Sequence, residues 1–148
     1  MNVDAAAIAE VLGGPVVLGR PVTSMRGLEE MVRAGIPKPA LDRLIGILAS
    51  SLATGGSDAR RLRNRIVPRA TYQRVERFNL QVSETTERIA RLYAMMQSAF
   101  RDPEAAARFM MRPHPELNGR APFDAALTEV GGREVEEIID RGLHGLPV

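Results

Sequence analysis

Chemistry at a protein site needs a nucleophile with a base, a metal set or a phosphate cradle, and this 148-residue chain offers few candidates for any of them. It has two histidines and no cysteine. His114 stands between two prolines and His144 lies near the C-terminus, and neither has a second ligand at metal-binding spacing. Glu136, Glu137 and Asp140 come nearest to paired carboxylates. Arg133 and Arg141 flank them on what reads as a surface helix, where such charges serve solubility or a basic partner. Gly13-Gly14-Pro15 invites a phosphate-loop reading, but no Lys-Ser or Lys-Thr follows it. No catalytic residue, metal or cofactor is expected, and the chain does not read as an enzyme.

What remains is charge grouped by sign. The net charge is only +2, yet Arg60, Arg61, Arg63, Arg65, Arg69, Arg74 and Arg77 face the single Glu76 within one short stretch. Between Glu116 and Asp140 the balance reverses, with acids at 116, 124, 129, 134, 136, 137 and 140 against Arg120 and Arg133. Lys38 is the only lysine, so the preference for arginine can follow codon usage; the grouping by sign cannot. A basic middle and an acidic end suggest two different partners.

The elements that must position these charges are helical. Leu, Ile, Val, Met and Ala dominate the apolar residues, Trp is absent, and the resulting core suits an all-α fold. No run approaches the ~20 apolar residues of a membrane helix, and Asp4 without a preceding basic cluster argues against a signal peptide. Together with the lack of cysteine, this makes a cytoplasmic protein with no membrane partner the expectation. Residues 1–22 read as an N-terminal packing or dimer arm, with Val16 to Pro21 extended. Leu28, Met31 and Val32 mark one helix, and Leu41, Leu44, Ile45, Leu48 and Leu52 a second, at the spacing of an amphipathic stripe. Ala53-Thr54-Gly55-Gly56 reads as a loop. Ser57 is placed to cap a short helix carrying Ala59, Leu62 and Ile66, and Val67-Pro68 breaks it before Arg69. Two short helices joined by a tight turn, the second basic, describe a helix-turn-helix. Arg65, Arg69, Arg74 and Arg77 would face phosphates there, with Thr71, Tyr72 and Gln73 available for base contacts. Ser83 reads as the cap of the longest helix, Glu84 to about Phe100. Its stripe is Ile89, Leu92, Tyr93, Met96 and Phe100, and its charges form a solvated face paired as Glu84/Arg88 and Glu87/Arg91.

The last fifty residues carry the most specific text. Asp102-Pro103 opens a helix burying Ala106, Phe109 and Met110, and Pro113 to Pro122 must bend. Pro122 starts another helix that Gly131-Gly132 should stop, and Val135, Ile138 and Ile139 give the face of a final helix closed by Gly142. This order resembles the C-terminal toxin-binding domain of the Xre/MbcA/ParS family of bacterial antitoxins. The family pattern falls on Phe109-Met110, Pro113-His114, Leu117, Gly119, Pro122, Thr128-Glu129, Gly131, Val135 and Gly145, with Phe109 in place of Trp, His114 in place of Asn and Asn118 in place of the first Gly. A weaker likeness places Val67-Pro68-Arg69-Ala70-Thr71-Tyr72 on the family's helix-turn-helix, with Ala70 where an arginine is usual.

The resemblance implies residues 23–82 as an Xre-like helix-turn-helix region and 83–148 as connecting helix and toxin-binding domain. It implies an antitoxin that binds a RES-domain toxin, occludes its NAD site and represses its own operon through operator DNA, as a homodimer and in higher-order complexes. The toxin contacts would come from the chain end: Arg133, Glu137, Arg141, Leu143, His144, Leu146 and Val148. The alternative is a free-standing helix-turn-helix regulator whose acidic C-terminal domain only dimerises.

Overall fold

A computed structural model describes residues 3–52 and 56–143. These residues form helices joined by turns, as an all-α core requires, with one isolated antiparallel bridge between Pro37 and Arg77.

The chain begins with α1 (Ala5–Val11), capped by the Asp4 carboxylate, which accepts from the Ala7 amide at 2.7 Å. Val16 to Leu18 is helical, not extended: it belongs to α2 (Gly14–Leu18), reached through Gly13 at φ 110°. A Cβ at Gly13 would stand 2.4 Å from the Val17 side chain, so only glycine lets α2 turn back this tightly. The turn buries both Leu12 and Leu18. The next two helices follow the apolar spacing. In α3 (Met25–Ala34) Leu28, Met31 and Val32 are buried, and in α4 (Lys38–Ala49) Leu41, Leu44, Ile45 and Leu48 are.

α5 (Gly56–Ile66) starts one residue before Ser57, which therefore sits inside the helix and does not cap it. α6 (Arg69–Arg74) is six residues long and buries none of its side chains. It is held by Tyr72, whose hydroxyl donates to Asp42 of α4 and whose ring stacks near Phe78.

α7 (Leu80–Phe100) is the spine. Its cap is Asn79, whose side chain accepts from the Val82 amide at 2.9 Å; Ser83, expected there, is fully buried one turn further in. The Ser83 hydroxyl accepts from the Ile36 amide at 2.9 Å and donates to the Phe78 carbonyl, so it ties the α3–α4 connection to the start of the spine. The expected Glu84/Arg88 pair is replaced by an inward turn of Arg88, which is 8% exposed and donates to the Ala126 carbonyl at 2.9 Å. Burial lowers the pKa of that guanidinium. Glu87 and Arg91 do pair, at 3.6 Å.

α8 (Pro103–Met111) is capped by Asp102, and a 3₁₀ turn (Pro115–Leu117), α9 (Pro122–Ala125) and α10 (Glu129–Leu143) complete the chain. Gly131-Gly132 does not end a helix. Both residues lie in the first turns of α10, and Gly142 lies within its last turn. Apolar side chains from α1 through α10 join one core, in which Ile8, Leu44, Leu92, Met110, Phe123 and Val135 are all buried. No helix among the described residues is long and apolar enough to cross a membrane.

Candidate functional site

The bend between α8 and α9 closes on itself. The amides of Leu117 and Gly119 donate to the His114 carbonyl, and the His114 amide donates to the Arg120 carbonyl at 3.0 Å. His114 also supplies a side-chain acceptor: its Nδ1 accepts from the Glu116 amide at 3.2 Å. An asparagine amide oxygen could accept the same bond. Asn118 and Gly119 follow with φ 57° and 79°. Two consecutive left-handed residues favour glycine, and asparagine is among the few side chains that tolerate that region, so Asn118 fits the position. Leu117 is fully buried and pins the bend to the core.

Phe109, expected to be buried, is half-buried and sets its ring edge against His114 at 6.2 Å. Phe109→Ala is therefore expected to cost about 1–2 kcal/mol, below the ~3–5 of a fully buried ring, while Leu117→Ala costs about 2–5. Denaturant melts of the two variants check the order; equal losses would contradict the half-exposed position of Phe109.

Beyond the bend, the Thr128 hydroxyl accepts from the Gly131 amide at 3.0 Å, in the manner of a helix cap. Here the glycines serve close approach. A Cβ on Gly131 would lie 1.9 Å from the Ala125 carbonyl oxygen, and one on Gly132 would lie 2.7 Å from Cδ of Arg88. Thr128, Gly131 and Gly132 thus let α10 start directly on α9 and over the buried arginine. Two ion pairs fasten α10 to the bend, Arg141 to Glu116 at 2.6 Å and Arg120 to Glu134 at 3.4 Å.

The family model for the antitoxin Xre/MbcA/ParS C-terminal toxin-binding domain matches residues 97–145. The matched segment is the C-terminal third of the chain, and it is similar to that domain. No curated protein matches the chain. Among the described residues the matched segment comprises the end of α7, α8, the closed bend, α9 and α10.

Of the residues expected to meet the toxin, Arg133 and Glu137 are exposed on α10, and Arg133 pairs with Glu129 at 2.8 Å. Arg141 is half-buried in its pair with Glu116, and Leu143 packs partly against the core. His144, Leu146 and Val148 lie outside the described residues.

The expected DNA-facing residues divide into two groups. Arg65 forms an ion pair with Asp124 of α9 and lies 5.9 Å from the centre of the Phe123 ring. Arg77 donates to the Gly35 carbonyl at 2.9 Å. Tyr72 has the Lys38 ammonium 4.3 Å and the Arg63 guanidinium 4.0 Å from its ring centre, with its hydroxyl on Asp42. Partial burial and that hydrogen bond raise the pKa of the hydroxyl. Thr71 is half-buried, while Arg69, Gln73 and Arg74 are exposed on α6.

Sequence reasoning missed Arg88. The signal was present, because position 88 is four before Leu92 and seven before Met95, on the apolar stripe of α7. Asp42 and Asp124, which hold Tyr72 and Arg65, lie 30 and 59 residues from their partners, and no local pattern points to them.

Proposed function

We propose that this chain is the antitoxin of a toxin–antitoxin pair, that its C-terminal domain neutralises a RES-domain toxin by covering its NAD site, and that α5–α6 binds operator DNA to repress the operon. It acts by binding in the bacterial cytoplasm, as a homodimer and in larger complexes with toxin. The observation that carries the reading is the match of residues 97–145 to a toxin-binding domain, together with a physical role for each hallmark there: the His114 acceptor, the left-handed Asn118-Gly119 pair, and Thr128 with Gly131 under α9. The test is co-expression with the product of the neighbouring open reading frame, expected to be a RES-domain protein. That protein should be toxic alone, co-purify with this chain, and lose its NAD-consuming or ADP-ribosylating activity in the complex. A toxin that neither co-purifies nor loses activity overturns the proposal.

For the operator, Arg69 and Arg74 are the arginines of α6 free to approach phosphate, with Gln73 between them; Arg65 and Arg77 already have partners inside the chain. Replacing both Arg69 and Arg74 with alanine is expected to weaken operator binding and lower the log–log salt slope by about two, near one unit per lost phosphate contact. Fluorescence anisotropy across a salt series reads both quantities. Unchanged affinity and slope would remove α6 from the DNA interface.

A further inference from the structure

Within the toxin-binding domain a cleft of about 300 Å³ opens between the end of α7, α8 and the bend after it. Phe100, Phe109, Ala105, Arg108, Arg112 and His114 line it, and among the described residues no carboxylate does. Phe100 continues the apolar stripe of α7 at four residues from Met96, yet it is 48% exposed. The chain leaves the helix there through Arg101 in the left-handed region, φ 56°, which ends the spine with an aromatic ring at the surface.

The cations at this cleft are little used inside the chain. Arg108 reaches Glu104 only at 4.0 Å, and the Glu104 side chain is 88% exposed, a pairing of little strength. Arg112 is exposed, with no ion-pair partner among the described residues. His114 uses Nδ1 as an acceptor, which leaves the proton on Nε2 as a donor with no partner among the described residues. Two aromatic faces bordered by two guanidiniums and an imidazole N–H suit an apolar side chain with carboxylates on either side of it. Nucleic acid fits less well, because Glu116 follows His114 by two residues in the bend, and with Glu134, Glu137 and Asp140 it lines another groove of the same segment. Every residue of the cleft falls inside the segment matched as toxin-binding.

We infer that this cleft anchors the toxin, taking an aromatic or aliphatic side chain of the toxin set among acidic residues. The inference rests on the antitoxin reading and adds an anchoring surface separate from the chain end. The test uses the full chain and the product of the neighbouring open reading frame, expected to be its RES-domain toxin, with affinity measured by calorimetry or surface plasmon resonance. Phe100→Ser, and separately Arg108→Glu with Arg112→Glu, are each expected to weaken binding by about tenfold or more, and Arg108→Lys with Arg112→Lys to retain it. Both arginines are exposed, so the charge reversal decides even if Phe100→Ser does not fold. Wild-type affinity in the folded charge-reversal variant overturns the cleft and leaves the antitoxin reading standing. Failure of the wild-type chain to bind the toxin overturns both. If the substitutions change self-association in sedimentation but leave toxin affinity alone, the cleft is an interface between copies, and the inference is wrong.

Discussion

Gly131→Ala is expected to destabilise the protein by about 3 kcal/mol, lowering the melting temperature by about 10 °C. The cause is the 1.9 Å separation that a Cβ would have from the Ala125 carbonyl oxygen, which no rotamer change can relieve because the obstacle is backbone. Either α9 or the start of α10 must move, and movement there disturbs the Thr128 cap and the bond from Arg88 to Ala126. For a domain whose total stability is of order 5–15 kcal/mol the loss is severe. Gly46→Ala is the control: it lies in α4 with nothing within 4 Å of the new methyl group, and is expected to be neutral or to stabilise by up to about 1 kcal/mol through helix propensity. Thermal melts of the two variants side by side check the contrast. A Gly131→Ala protein that melts with the wild type would mean that α10 does not start against α9.

The second large effect concerns inhibition. Leu143 packs against the core, so a truncation that preserves the fold must fall after it. Removing residues 144–148 is expected to leave folding, dimerisation and operator binding intact and to raise the toxin activity that remains at saturating antitoxin on the order of a hundredfold. The readout is NAD loss or ADP-ribosylation against antitoxin concentration. If the truncated chain protects at the same ratio as the full chain, inhibition comes from the body of the domain and the chain end has no part in it. The anchoring cleft separates from this effect: cleft variants lower affinity yet still inhibit fully at saturation, whereas a truncated chain stays bound and leaves the NAD site open.

Much of the fold was legible because it rests on local rules. The stripe Leu41, Leu44, Ile45 and Leu48 and the Asp102-Pro103 start are periodicity and capping, which the sequence states directly. Several of the failures share one physical origin, a residue type with two uses. Gly131-Gly132 reads as a helix stop, but the same missing side chain permits contact with α9, and only tertiary structure distinguishes the two. Ser83 reads as a cap and is an interior hydroxyl satisfied by Ile36 and Phe78. The arginines of 60–77 announce their sign, not their engagement. Arg65 and Arg77 have found acceptors far along the chain, and Arg61 pairs with Asp58 just outside the basic stretch. In the candidate site, the order of the bend was readable while the cleft was not, because Phe100 belongs by spacing to a buried stripe and by position to a helix end.

The spine has a consequence for chimeras. α7 packs against α1, α3 and α5 as well as α8 and α10, and its Arg88 reaches across to the turn after α9. The segment recognisable as toxin-binding begins at residue 97, near the end of that helix, so it takes in only the last few residues of the surface that supports it. A graft that exchanges this segment between antitoxins would pair one parent's α10 with the other's α7, setting a foreign residue opposite Gly132 and a foreign acceptor before Arg88. To change toxin specificity by recombination, the crossover belongs ahead of Asn79, so that the spine travels with the domain it holds.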